Sequence, residues 1–110
     1  MLEFAALTDP TRRQIVEILA EGERSAGEIA SRFKMVSQPA ISQHLKVLRE
    51  ARLVKVRPRA QRRIYALDPT GLDEIDQWLA KTRRFWSGAL NELERQLAHE
   101  ANHLSRRKKT

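Results

Sequence analysis

The chain has 110 residues, which fits one domain, and 41% of them are hydrophobic, so its core alone is near the lower limit for a stable fold and a second copy would enlarge it. Lys and Arg number 21 against 14 Asp and Glu, a net charge of +7, which points to a polyanion such as nucleic acid or an anionic surface, the alternative being a soluble chain that is merely basic. The absence of cysteine excludes disulfides, thiolate metal sites and cysteine nucleophiles, and no apolar run approaches the roughly 20 residues of a bilayer span.

The chain opens with MLEFAALTDPTRR, where Glu3 stands in place of the positive charge of a secretion signal and the apolar stretch is short. A cytoplasmic protein working beside the chromosome is therefore expected. Leu2 to Leu7 read as a short apolar helix. Asp9 then caps a second helix with Pro10 at its first position. Ile15, Val16 and Leu19 form its apolar stripe, and Gly22 ends it. Ser25-Ala26-Gly27-Glu28 is a capping box for a third helix, whose inner face carries Ile29, Ala30 and Phe33. After a tight connection at Lys34 to Val36, Ser37 caps a fourth helix with Pro39 in its first turn.

In that fourth helix Ile41, Leu45 and Leu48 recur at i, i+4 and i+7, the spacing of a core stripe. Gln38, Ser42, Lys46 and Arg49 fall on the other face, with Gln43 beside them. Beyond Arg52 the period changes to two. Val54 and Val56 alternate with Lys55 and Arg57, Pro58-Arg59-Ala60-Gln61 interrupts, and Arg62 to Leu67 resumes the extended pattern, giving a β-hairpin with a basic tip. Asp68-Pro69 ends the second strand, and Thr70 with Asp73 reads as a further capping box.

The last segment is long. Leu72, Ile75, Leu79, Thr82, Trp86, Leu90, Leu93, Leu97, Ala101 and Leu104 step by three or four, a stripe too long for so small a domain to cover and suited to an interhelix seam. Gly88 is a site for a bend or a close approach. Arg106-Arg107-Lys108-Lys109 form a basic, low-complexity tail. The expected organisation is a DNA-binding domain over residues 1–88 and a dimerising helical extension with its tail over 89–110.

Two short helices joined by a tight turn and followed by a hairpin describe a winged helix-turn-helix: mainly α with a small β-hairpin. A solvated polar face would account for the outer strip of the 37–51 helix taken alone. Gln, Ser and Lys near its N-terminal half are, however, the side chains that read base edges in a major groove, and the helix N-terminal amides suit a phosphate. Arg57, Arg59, Arg62 and Arg63 repel one another in the hairpin and serve no folding purpose, whereas a wing lying along a sugar-phosphate backbone accounts for them.

Asp9-Pro10-Thr11-Arg12-Arg13, the run Ser37-Gln38-Pro39-Ala40-Ile41-Ser42-Gln43-His44-Leu45-Lys46-Val47-Leu48-Arg49-Glu50-Ala51, and the stretch from Leu53-Val54 through the wing to Leu67-Asp68-Pro69 resemble the ArsR family of bacterial repressors. The resemblance implies a winged helix-turn-helix repressor that dimerises through its first and last helices, and a recognition helix starting near Ser37. It sets Ser37, Gln38, Ser42, Gln43, His44 and Lys46 at or near double-stranded DNA, with Pro39 in the same first turn. Such proteins usually repress their own operon and leave DNA when a signal binds. Trp78-Leu79, Arg84-Phe85-Trp86 and Leu90-Leu93 are similar to a subgroup without obvious metal sensing, often encoded beside a small lipid- or hydrophobe-binding domain. Two departures stand out. Arg52 occupies a position where family members often have Gly closing the recognition helix in a left-handed conformation. The Cys-x-Cys pair of the family's metal sensors is absent from Gly27 to Phe33, which excludes soft-metal sensing through that site.

The dimer interface is expected at Leu2, Phe4, Leu79, Trp86, Leu90, Leu93 and Leu97. His99-Glu100-Ala101-Asn102-His103 matches the H-E-x-x-H pattern of zinc hydrolases, but a hydrolase also needs a third ligand and an enclosed cleft. His99 and His103 are either a regulatory metal pair shared across a dimer or a solvated helix face. His44 either donates to a phosphate or borders the core. Arg12 and Arg13 read as a solvated helix face, with support of phosphate contacts as the alternative, and Trp78 and Trp86 as core or dimer contacts, with the lining of a hydrophobic effector pocket as the alternative. No nucleophile–base pair or glycine-rich phosphate loop is present, so no enzymatic activity and no cofactor is expected. The expected partners are double-stranded DNA, a second copy and an effector of unknown identity.

Overall fold

The structure, a computed structural model, describes residues 2–108, with side chains through Leu104. The elements in chain order are α1 (Leu2–Ala6), α2 (Pro10–Ala20), β1 (Arg24–Ser25), α3 (Ala26–Ser31), α4 (Gln38–Glu50), β2 (Val54–Arg59), β3 (Arg62–Leu67) and α5 (Pro69–Lys108). They divide into two compact units, Met1–Ile75 and Asp76–Thr110.

In the first unit every helix start is chemically marked. The Asp9 carboxylate accepts from the amides of Thr11 and Arg12 at 2.8 and 3.2 Å, with Pro10 at the first turn of α2. Burial works to raise the Asp9 carboxyl. Those two amides and the neighbouring His44 and Arg12 outweigh it and hold the group below its ordinary range. The capping box forms as the sequence predicts: Ser25 Oγ accepts from the Glu28 amide, and the Ser25 amide donates to the Glu28 carboxylate at 3.0 Å. Ser37 caps α4 by accepting from the Ala40 amide.

The core is the meeting of the stripes predicted for α2, α3 and α4. Ile15 and Leu19, Ile29, and Ile41, Leu45 and Leu48 are buried, joined by Leu53, Val54 and Tyr65, while Val16, Ala30 and Phe33 pack partly buried against them. Helix α4 therefore sits on a rigid aliphatic bed along one face. It ends in a left-handed closure, with arginine where the resemblance often places glycine. Arg52 adopts a left-handed φ of 59°, its amide donating to the Arg49 carbonyl and that of Leu53 to the Leu48 carbonyl. These are the paired bonds of a Schellman closure.

The predicted hairpin gains a third strand, and two expectations are corrected. The hairpin is part of a three-stranded antiparallel sheet in the order β1-β3-β2, because Arg24 and Ser25 pair with Tyr65 and Ile64. A two-residue strand leaves no periodicity to read. Next, β2 is not interrupted at Pro58 but continues to Arg59, opposite Arg62; it is the outer strand, where a missing amide costs no ladder bond. The turn is Ala60-Gln61 alone, with Ala60 at φ 56°, a first turn position where glycine is usual. Finally, α5 begins two residues earlier than a cap at Thr70 implies. The Asp68 carboxylate accepts from the Thr70 amide at 2.9 Å, with Pro69 as the first helical residue.

In the second unit α5 runs without a break through Gly88. Its residues Phe85, Trp86, Leu90, Leu93, Leu97 and Leu104 are all at least half exposed. The tail from Arg106 to Lys109 lies outside the residues whose side chains are described.

Candidate nucleic-acid interface

Helix α3, the connection 32–37 and helix α4 form a helix-turn-helix, and β2 and β3 form its wing. On α4 the residues expected to read DNA divide by environment. Gln38, Pro39, Ser42, Gln43 and Lys46 are all exposed along one side, with Arg49 continuing the strip. Ser37 is exposed too, but its hydroxyl is engaged in capping. His44 differs from them. It is half-buried, and its Nδ1 lies 3.3 Å from Arg12 Nη1. With arginine always a donor, Nδ1 accepts and the ring proton sits on Nε2.

Arg13 is exposed, as expected of a solvated face, while Arg12 is half-buried, and both are engaged by carbonyls. Arg12 Nε donates to the Ala6 carbonyl at 2.5 Å, and Arg13 Nη1 to the Leu7 carbonyl at 2.7 Å. Arg12 satisfies the last carbonyl of α1, and Arg13 the carbonyls of Leu7 and Thr8 just beyond it. The motif Asp9-Pro10-Thr11-Arg12-Arg13 is thus a joint: its acid caps the helix it starts, and its bases cap the helix before.

The polar strip of α4 borders a trough of about 830 Å³ whose lining includes Ser42, Gln43, Lys46, Arg49, Lys55 and Arg63. Four of those six are cations, so the trough is electropositive, offset by Glu50 at its edge. Lys55 is a member that the sequence reading named only as a strand residue. Its position on β2, paired with Ala66, decides which way it faces.

The wing arginines overlap in their surroundings: Arg62 and Arg63 share a groove over the start of α3, and Arg59 and Arg62 share one beside Glu28. Arg63 lines the trough beside α4. Arg62 lies over the start of α3 in a groove with Ser25, Gly27 and Glu28. The Glu28 carboxyl is held low chiefly by the Ser25 amide and hydroxyl, with Arg62 adding its charge. Arg59 is exposed next to the turn. Arg57 is committed elsewhere: its Nη2 donates to Glu23 Oε1 at 2.7 Å, tying the edge strand to the segment before β1.

Of the residues expected at a dimer interface, Leu2 is exposed and Phe4 half-buried in α1, and Leu79, Trp86, Leu90, Leu93 and Leu97 are exposed on α5. Trp86 meets Phe85 edge-to-face at 5.7 Å. His99 and His103 are exposed, and among the described residues no three metal-ligating side chains converge. Glu3, which the sequence marks only as an acidic residue near the start, is buried in α1. It shares a hydrogen bond with Glu74, which pulls the Glu3 carboxyl down and pushes Glu74 up.

Residues 9–56 match the bacterial regulatory proteins of the arsR family. Over 87 residues the chain is 56% identical to the HTH-type transcriptional regulator Rv2034 of Mycobacterium tuberculosis, covering 79% of this chain and 78% of that one. The chain belongs to the arsR family of bacterial regulatory proteins. This ArsR-family regulator is also 38% identical over 76 residues to the transcriptional repressor SdpR of Bacillus subtilis, covering 69% of the chain and 83% of the repressor. Among solved structures it is similar to the homodimeric winged helix-turn-helix DNA-binding domain Mb0332 of Mycobacterium bovis, with a TM-score of 0.58 at 24% identity over 78% of this chain and 76% of that one. The fold is accordingly a winged helix-turn-helix, and the regulator is a transcription factor of this family.

Proposed function

We propose that the regulator is a cytoplasmic homodimeric repressor that binds an inverted-repeat operator, including that of its own operon. The observation that carries this reading is the exposed strip Gln38, Ser42, Gln43 and Lys46 on a helix whose opposite face is fully buried. A rigid backing lets short polar side chains hold fixed positions against base edges. Each α4 enters a major groove. Gln38 and Gln43 are placed to pair with adenine and Lys46 with guanine or a phosphate. The two copies of α4 lie about 34 Å apart or a multiple of it, as two-fold symmetry on B-form DNA demands.

Lys55 and Arg63 continue the contact from the helix onto the backbone, and Arg59 and Arg62 extend it along the wing. Pairing with Glu23 makes Arg57 a brace for the wing rather than a main phosphate contact. His44 contributes through Nε2, as a donor to a phosphate oxygen, while Nδ1 keeps it oriented. The dimer forms through α1 and α5, and an effector that changes the angle between the two DNA-reading heads releases the operator. The names of the relatives support the transcriptional role; the repressor SdpR supports the direction of control.

Selection of bound sequences from a random duplex pool tests the proposal. Enrichment of a two-fold symmetric motif supports it. Recovery of unrelated sequences, or of a single unrepeated half-site, would overturn it.

A further inference from the structure

The connection 32–37 between α3 and α4 is anchored by two apolar side chains, Phe33 and Val36, which pack partly buried against the core. The two residues between them, Lys34 and Met35, are both exposed. Met35 is 95% exposed, more than any other large hydrophobic residue among those described. It contributes nothing to the fold, since its neighbours hold the turn and its own side chain stays in water. Single exposed apolar residues are common on proteins, and what sets this one apart is its place. It stands two residues before Ser37, the cap of α4, and three before Gln38, the first residue of the exposed strip. In a helix-turn-helix this turn carries the chain from the helix that crosses the DNA backbone to the helix whose N-terminal residues meet base edges. A side chain projecting from it stands at the mouth of the major groove when duplex is bound.

We infer that Met35 is a further specificity-determining residue, which packs its thioether tip on the 5-methyl group of a thymine in the major groove. The inference rests on the proposed operator binding and adds an apolar contact beside the polar ones. The 5-methyl is the apolar group that base pairs display in this groove, so an uncovered apolar side chain there has one chemical match. Methionine suits the task, because an unbranched and polarizable side chain settles on a small apolar group without demanding a fixed backbone position. A phosphate offers the thioether nothing comparable, since its sulfur is only a weak acceptor. That role falls to the exposed Lys34 beside it. The chain also limits which thymine is touched. Three residues span at most about 11 Å, or about three base pairs at the duplex rise of about 3.4 Å. The thymine therefore lies within about three base pairs of the base read by Gln38.

Replacing single thymines of the selected operator by uracil removes the methyl and keeps every hydrogen-bonding group. Wild type is expected to lose affinity about fourfold at one thymine of each half-site, the worth of one buried methyl group. That thymine is expected within the stated distance of the position at which Gln38→Ala relaxes base preference. Met35→Gln keeps the length of the side chain without its apolar tip, and is expected to bind thymine and uracil duplexes alike. Met35→Leu is expected to retain the discrimination. The exposure of Met35 leaves the fold indifferent to both substitutions, which an unchanged urea midpoint checks.

Uracil without effect at every thymine, or a fourfold loss that persists in Met35→Gln, overturns the contact. A sensitive thymine far outside the stated window overturns it as well. If Met35→Gln weakens every duplex while wild type ignores uracil, the side chain lies on the backbone and the thymine assignment fails. A wild type that prefers no duplex overturns the operator-binding reading itself, and this inference with it.

Discussion

The amide of Gly71, in the first turns of α5, donates to the carbonyl of Arg52 at 2.8 Å, and a Cβ on Gly71 would lie under 3.0 Å from that same oxygen. The carbonyl belongs to the left-handed residue that closes α4. One contact therefore requires two unusual backbones: a residue turned left-handed on one side and a residue without a side chain on the other. Gly71→Ala is expected to destabilise the protein by about 1–3 kcal/mol through overpacking against backbone that has little room to shift, read as a lowered urea midpoint.

Arg52 carries the opposite expectation. A left-handed conformation costs an ordinary residue about 1–2 kcal/mol and glycine nothing comparable, though glycine loses more entropy on folding. Arg52→Gly is expected to raise stability by up to about 1 kcal/mol with DNA affinity retained. A lowered thermal midpoint would mean that the arginine's attraction to Glu3, Glu74 and Asp68 outweighs its backbone strain.

Gln38→Ala and Gln43→Ala are expected to relax base preference at defined positions, each by about 1–3 kcal/mol for a lost bidentate contact. Affinity for a scrambled duplex stays nearly constant. Competition binding with single-base operator variants measures this, and an unchanged preference counts against the assignment.

The wing arginines separate by salt dependence. Arg63→Ala and Arg62→Ala are each expected to reduce the slope of log affinity against log salt by about one and to weaken all duplexes alike. Arg57→Ala is expected to change the slope less, because Glu23 already neutralises it at 2.7 Å. A slope change for Arg57 as large as that for Arg63 would show the Glu23 pair opening on DNA.

Acid weakens the helix starts. The Asp9, Glu28 and Asp68 carboxyls sit below their ordinary range in the folded protein. The unfolded chain therefore binds more protons as the pH falls through the carboxylate range, and stability present at neutral pH is lost below about pH 4.5. Glu74, pushed upwards by its bond to Glu3, works in the other direction and softens the decline. Urea titrations between pH 7 and pH 3 are expected to show falling midpoints, and Asp9→Asn a shallower fall.

Much of the fold was legible because its signals are local. Asp9, Ser25 and Ser37 announce helix starts by side chains that reach only two or three residues, and the stripes of α2 and α4 mark their own buried faces. The site was legible in part for the same reason, since the outer face of α4 is the complement of Ile41, Leu45 and Leu48. What sequence did not reveal depends on distant partners. Strand β1 exists because Arg24 and Ser25 meet Tyr65 and Ile64. Arg57 is diverted by a glutamate 34 positions away, and Arg12 looks solvated until the carbonyls of α1 are seen beneath it. Pro58 read as a break only because strand order, which puts it on an edge, has no signature along the chain.

The guanidinium of Arg12 touches the carbonyls of Ala5 and Ala6 with one side and the imidazole of His44 with the other. A single planar group thus joins the protein's opening turn to the middle of α4. The bond that orients the His44 ring therefore depends on where the opening turn sits, and the amino-terminal end is coupled to α4 through one side chain.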